Sequence, residues 1–157
     1  MRTLLTNAEQ ALSFGLQQID HAFPPLRTGE FTVLYGHQFC KTLTFTLSVR
    51  CQLPIELGGL DSSAIYVDGG NTFNPYSISA IAQQHNLDPQ SALERIFVSR
   101  AFTAYQLSAL ILETLEKALK QHSSRLVLIS DVMSLFLDDD VPIREALDIF
   151  KKALNYV

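Results

Sequence analysis

Four short segments rich in apolar residues recur along this chain, at Phe31–Tyr35, Ala64–Asp68, Ile96–Val98 and Leu126–Ile129, and helical patterns separate them. The first is a continuous apolar run that alternation cannot explain, which fits a strand buried on both faces of a parallel sheet. The helix after it is expected from Lys41 to about Gln52, stopping ahead of Pro54. A second should open near Pro75, with Ile78, Ile81 and Ala82 on one face, and end around His85–Asn86. Asp88–Pro89 opens a brief helical turn. From Tyr105 to Gln121 the spacing of Leu107, Leu110, Ile111, Leu115, Ala118 and Leu119 predicts a long amphipathic helix, with Glu113, Glu116, Lys117 and Lys120 facing water. A last helix is expected from about Pro142, behind Asp138–Asp140. Strands alternating with helices give a mainly parallel α/β sheet covered by helices on both faces.

The remaining segments are weaker. Residues 8–20 carry apolar positions at near-helical intervals, interrupted by Gly15 and ended by Pro24–Pro25, so a short helix or two is expected there. Glu56–Ser63 is turn-rich and is expected outside the core.

The chemistry concentrates where the first strand meets its helix. Gly36-His37-Gln38-Phe39-Cys40-Lys41-Thr42 resembles a phosphate-binding loop of the pattern G-x-x-x-x-G-K-[ST]. In the working loop, backbone N–H groups cradle phosphate oxygens, the lysine neutralises them and the hydroxyl holds Mg²⁺. Lys41 and Thr42 have the right identity and order. Cys40 stands in the second glycine slot, however, and Gly36 is one residue too close to Lys41. A shortened loop offers fewer N–H donors, and a residue other than glycine at positive φ costs energy.

The segments around this loop resemble the RecA/RadA recombinase superfamily in order and spacing over nearly the whole chain. Ser13-Phe14-Gly15-Leu16-Gln17-Gln18-Ile19-Asp20 resembles the family's S-T-G-x-x-x-L-D, and Leu26-Arg27-Thr28-Gly29-Glu30 the turn feeding its first strand. Ile65 to Pro75 is similar to Y-I-D-T-E-G-T-F-x-P, Ile96–Phe102 to I-x-V-x-R-A-[FY], and Leu126–Asp131 to the second acidic strand. The resemblance implies a truncated three-layer RecA-like P-loop NTPase fold, residues 1–157 forming one degenerate core domain. It implies Gly36, Lys41 and Thr42 as remnants of nucleotide contact, and Thr42 and Asp131 as Mg²⁺ contacts should nucleotide bind.

The same resemblance argues against catalysis. The family's water-activating glutamate lies two residues after the strand-end aspartate, and that slot is Gly70 here. Glycine accepts no proton. Asp68 is near, but a carboxylate two residues away on a strand end points elsewhere. A shortened loop and a missing base together indicate a pseudo-ATPase with no catalytic residues and no required cofactor. The alternative is an atypical ATP-binding protein or slow NTPase using Lys41, Thr42, Asp68 and Asp131. Cys40 is read as a small residue rather than a reactive thiol. His21, His37, His85 and His122 have no partners at catalytic spacing.

Bulk composition narrows the partners. The chain has 157 residues, 47% hydrophobic, which is one domain's worth of core. A net charge of -4, from 12 basic and 16 acidic residues, supplies no general attraction to nucleic acid or acidic membranes, and direct nucleic-acid binding is not expected. The start lacks a signal-peptide run and no segment is long enough to span a bilayer, so a cytoplasmic protein is expected. Cys40 and Cys51 are too few for a disulfide framework and are expected reduced.

The chain stops one helix after its fourth strand, before the strands that carry the family's DNA-contacting loops. A core so cut exposes a strand edge and helix faces, which implies self-association or a RecA/RadA-like partner. Phe150-Lys151-Lys152-Ala153 matches the F-x-x-A docking signature, although Phe150, Ala153 and Leu154 also have the spacing of a helix packing on its own sheet. The expected function is a structural or regulatory role in DNA recombination or repair.

Overall fold

A computed structural model of the protein describes residues 10–36, 39–136, 144, 145, 148, 149 and 151. Its centre is a parallel sheet of three strands, β3 (Ala64–Asp68) between β4 (Ile96–Arg100) and β5 (Leu126–Ser130). Ala64 is level with Ile96 and Leu126, and Asp68 is level with Arg100 and Ser130. The three strands therefore end flush, and their carboxyl ends form one rim.

Side chains on β3 alternate between two cores because successive residues of a strand point to opposite faces. Ala64 and Tyr66 join Ile96, Leu126 and Leu128 against α2 (Phe39–Arg50), α3 (Pro75–Gln84) and α4 (Pro89–Glu94). Ile65 and Val67 join Val127 and Ile129 against α5 (Ala104–Ala109), a π-helical turn (Leu110–Thr114), α6 (Leu115–His122) and α7 (Val132–Phe136). Helices thus cover both faces. The apolar positions expected of the long amphipathic helix, Leu107 through Leu119, all lie on this second core, while Glu113, Glu116, Lys117 and Lys120 are exposed.

The helix starts follow from their capping residues. Asn74 accepts the N–H groups of Tyr76 and Ser77, with Pro75 in the first position, Asp88 accepts that of Ser91, and Thr103 that of Gln106. Each such cap stabilises its helix by about 1 kcal/mol.

Three expectations are corrected. Residues 8–20 do not make simple helices: among the described ones, β1 (Ala11–Leu12) pairs antiparallel with β2 (Leu26–Arg27), and α1 (Gln17–Ala22) fills the connection. Within Glu56–Ser63, Leu60, Ser62 and Ser63 are buried rather than outside. The largest departure is Phe31–Tyr35, which is not a strand and is exposed, with Val33 at 67% and Tyr35 at 91%. An apolar, β-branched run becomes a buried strand only if a neighbour supplies ladder bonds, and this run has no ladder partner among the described residues.

The Asp138–Asp140 run, Pro142, Phe150, Ala153 and Leu154 lie outside the described residues. Ile149 is described, and it packs against the second core. Among the described residues no helix is long and apolar enough to cross a membrane.

Candidate functional site

Helix α2 runs antiparallel to β3. Near its C-terminal end the Cys51 thiol donates to the Ser62 carbonyl, before β3 begins, whereas Thr44 near its start lies 3.4 Å from the Tyr66 hydroxyl, toward the end of β3. The first turn of α2, with Lys41 and Thr42, therefore stands at the carboxyl rim of the sheet. Open α/β sheets bind ligands at that end.

Lys41 and Thr42 are both exposed. Their carbonyls accept side-chain hydroxyls one turn along, Thr44 Oγ1 at 2.8 Å and Thr46 Oγ1 at 2.9 Å. Gly36 has φ +144°, a conformation that favours glycine, and a Cβ there would meet Cys40 Sγ at 3.5 Å. Cys40 is half-buried. The exposed lysine and hydroxyl on a helix N-terminus fit a phosphate group.

Asp68 is committed to its own loop. The residue is wholly buried; Oδ1 accepts the N–H of Thr72 at 3.0 Å and the Ser130 hydroxyl at 3.4 Å, and Oδ2 accepts the N–H of Phe73 at 2.8 Å. Arg100 Nε lies 3.8 Å from Oδ2. With its oxygens so engaged, Asp68 shapes the Gly69–Phe73 turn. Beside it, burial raises the Tyr66 phenol above its ordinary range, against the opposing hydrogen bonds from Ser130 and Thr44.

The turn that Asp68 holds lies flat on the end of β5. Gly69 donates its N–H to the Ser130 carbonyl at 3.0 Å, and a Cβ at Gly69 would come 2.8 Å from that oxygen. A Cβ at Gly70 would run into Asp131 Oδ2 and lie 2.9 Å from Asp131 Cβ and 3.0 Å from its Cγ. Asp131 reaches this position from a left-handed backbone, φ +56°, and its carbonyl accepts the Ser134 hydroxyl at 2.8 Å. Gly70 itself does not need a glycine conformation; it needs the space. A side chain at 70 would require Asp131 to move.

The fold thus gathers Asp68, Gly70 and Asp131 at one rim and sets Lys41 and Thr42 at the same end. Sequence reasoning missed Thr44, Tyr66, Arg100 and Ser130. Arg100 lies past the strand expected at Ile96–Val98, and only the observed extension of β4 to Arg100 sets it level with Asp68. Beside Arg100 an open depression of about 360 Å³ is lined by Phe102, Gln106, Ala109, Leu110 and Thr114. Of the histidines, His122 stacks on Phe97 with ring centroids 3.5 Å apart, His21 is exposed and His85 caps α3. His37 lies outside the described residues.

Residues 10–154 match the sequence model of the Rad51 family. DNA repair protein RAD51 of Saccharomyces cerevisiae is 32% identical over 121 residues, covering 73% of this chain and 29% of that protein. The DNA repair protein Rad51 homolog of Drosophila melanogaster is 33% identical, covering 82% of this chain and 39% of its own length. Meiotic recombination protein DMC1 of Saccharomyces cerevisiae is likewise 33% identical, with 82% and 39% covered. The matched stretches amount to about a third of the length of these relatives.

Proposed function

From the premise that the chain belongs to the Rad51 family, we propose that it serves DNA recombination or repair as a structural or regulatory partner and does not turn over ATP. The observation that carries this reading is Gly70. It occupies the slot of the water-activating glutamate in the family pattern, and Asp131 fills the space beside it. Asp68 is a poor replacement, because it is wholly buried and tied to the backbone of its own loop at Thr72 and Phe73. Without a positioned base, the rate loses the roughly 10²–10⁴-fold contribution of proton transfer.

Purified protein with Mg²⁺ and ATP is expected to give no phosphate release above a Lys41→Ala control. Sustained release that disappears in Lys41→Ala would replace this reading with that of a slow NTPase.

One observation favours a second reading, binding of nucleotide without turnover. Lys41 and Thr42 are solvent-exposed on the first turn of a twelve-residue helix, where backbone N–H groups and the helix dipole favour anions. When bound, ATP with Mg²⁺ would supply a phosphate chain for Lys41 and a cation for Thr42 and Asp131. Titration with a fluorescent ATP analogue, repeated on Lys41→Ala, tests it; equal signals from both proteins would exclude the site.

The partner in this proposal is a second copy of the chain or a RecA/RadA-like protein in the cytoplasm, without direct contact to nucleic acid. The exposed apolar run Phe31–Tyr35 supports an association surface. Light scattering across a concentration series, and pull-down with a RecA/RadA-like protein, are expected to give mass above the monomer. A strict monomer that captures nothing would remove the partner from the proposal. Electrophoretic mobility shift with single- and double-stranded DNA is expected to be negative.

A further inference from the structure

One flank of β5 is open, and the chain carries an unpaired segment that matches it. β3 is buried along its whole length, whereas β5 pairs only with β3 among the described residues and is half-buried at every residue but Leu128. An apolar strand edge with free N–H and C=O groups accepts a further strand. We infer that the occupant is the Phe31–Tyr35 run of a second copy, which adds in parallel to the outer edge of β5 while the first copy's run does the same in return. The inference deepens the reading of a chain that associates with its own kind, and rests on that reading for the second copy.

Composition and charge set the register. Phe31-Thr32-Val33-Leu34-Tyr35 is exposed throughout and uncharged, and so long a run equals the uncharged Leu126–Ser130 in length. With Phe31 level with Leu126 and Tyr35 level with Ser130, Phe31 and Val33 fall on the face of Leu126 and Leu128, and Thr32 and Leu34 on that of Val127 and Ile129. The same register sets Glu30 level with Arg125. Arg125 is exposed, donates to Gln10 Oε1 and the Leu60 carbonyl, and has no carboxylate partner among the described residues. An antiparallel strand would instead bring Glu30 beside Asp131, a like charge. The outer edge of β4 fits less well, because that strand ends in Arg100, and Arg95 before it already lies 3.7 Å from Asp61.

The occupant is a second copy because the chain's own run does not take the edge. Thr28 is held to Gln10, Gln10 is held to Arg125, and α2 starts at Phe39, so the run leads from the amino end of its own sheet to the carboxyl rim. It is nevertheless exposed along its length and makes no ladder bond among the described residues. Each copy thus presents both a donor run and an acceptor edge. Reciprocal exchange satisfies two runs and two edges in one closed dimer, whereas one-way addition would leave a run and an edge to continue into filaments.

The test co-expresses the full chain as Thr32→Cys and as Val127→Cys, each also carrying Cys40→Ser to remove the more accessible native thiol. The two positions are level in the inferred register, so a mild oxidant is expected to join the chains through the introduced thiols, found as a linked peptide pair by mass spectrometry. Absence of that link overturns the exchange; if a Thr32→Cys/Val127→Cys double variant then closes within one chain, the run belongs to its own edge. Should Val127→Cys fail to fold, light scattering decides. Val33→Glu is expected to bring the mass to that of one chain without lowering the melting temperature, and Arg125→Glu to weaken the dimer about two- to fivefold, recovered when Glu30→Arg is added. A mass above one chain that Val33→Glu leaves unchanged refutes the exchange and leaves the partner reading standing, as does a monomeric chain that captures a RecA/RadA-like protein. Phosphate release from the unaltered chain would sink the reading of a partner without turnover and leave the exchange intact, so the two failures are distinguishable.

Discussion

Arg100 Nε lies 3.8 Å from Oδ2 of Asp68, yet the carboxylate is wholly buried while the Arg100 side chain is half exposed. The two ends of this contact should therefore matter very differently. Asp68→Asn keeps the shape but sets an amide N–H₂ against a backbone donor at Thr72 or Phe73, at a cost of about 1–3 kcal/mol. Arg100→Ala loses a contact that solvent already screens, at about 1 kcal/mol or less. Urea denaturation of both variants measures the difference, and an equal or larger loss for Arg100→Ala would mean that the ion pair, rather than the loop bonds, fixes Asp68.

One guanidinium makes several of the bonds that fasten the N-terminal ribbon. Arg50 is buried and donates from Nε to the Ser13 carbonyl at 2.9 Å, and from Nη2 to the Ser13 hydroxyl at 2.5 Å and the Leu57 carbonyl at 3.3 Å. Gly15, at φ +72°, has no room for a Cβ against the same guanidinium. Arg50→Ala is expected to destabilise the fold by about 2–4 kcal/mol and to loosen residues 10–27. Limited proteolysis should then cut in that segment first; cleavage at wild-type rates would contradict this role.

Acid should weaken the fold through His85. Burial first, then the positive charge of Arg50, lowers the pKa of His85 below its ordinary value of 6.5. The folded protein thus resists a proton that the unfolded chain accepts. The associated stability is full above about pH 6.5, falls as the pH drops through that value, and levels off below the folded pKa. Melting temperatures taken from about pH 7.5 to 5 should fall less steeply for His85→Gln than for the wild type. Parallel slopes would remove His85 from the account.

The two cysteines should differ sharply in reactivity. Cys51 is wholly buried, its thiol donates to the carbonyls of Ser48 and Ser62, and burial pushes its pKa up to about 12. Cys40 is half-buried at the start of α2. A maleimide should modify one thiol quickly in the native protein, and mass spectrometry should locate it on Cys40. Rapid modification of Cys51 without denaturant would mean that the amino end of β3 opens.

The sheet was legible because its rules are local. Ala64–Asp68 and Leu126–Ile129 announce themselves by composition, and Pro75 and Asp88–Pro89 mark helix starts by chemistry that needs no distant partner. Phe31–Tyr35 has the same composition as a strand and is not one, because strandedness there depends on a neighbour rather than on the run itself. The candidate site divides in the same way. Lys41, Thr42 and Asp131 are visible as motif residues, and the vacancy at Gly70 is visible by resemblance. That Asp131 fills the vacancy is invisible in the sequence, since it depends on a left-handed turn 61 residues away meeting a glycine across the sheet.

The exposed run also sets how this protein behaves as a colloid. Phe31-Thr32-Val33-Leu34-Tyr35 has strong β-propensity, no proline and no charge, and its nearest flanking charge on the N-terminal side is Glu30. Segments of that kind stack edge to edge between molecules and seed fibrils when nothing shields them. A net charge of -4 gives weak repulsion at neutral pH and still less near the isoelectric point of about 5.5. Concentrated stocks are therefore most prone to precipitate in mildly acidic buffers, and a glutamate in place of Val33, which is exposed, both breaks the apolar run and adds to the net negative charge.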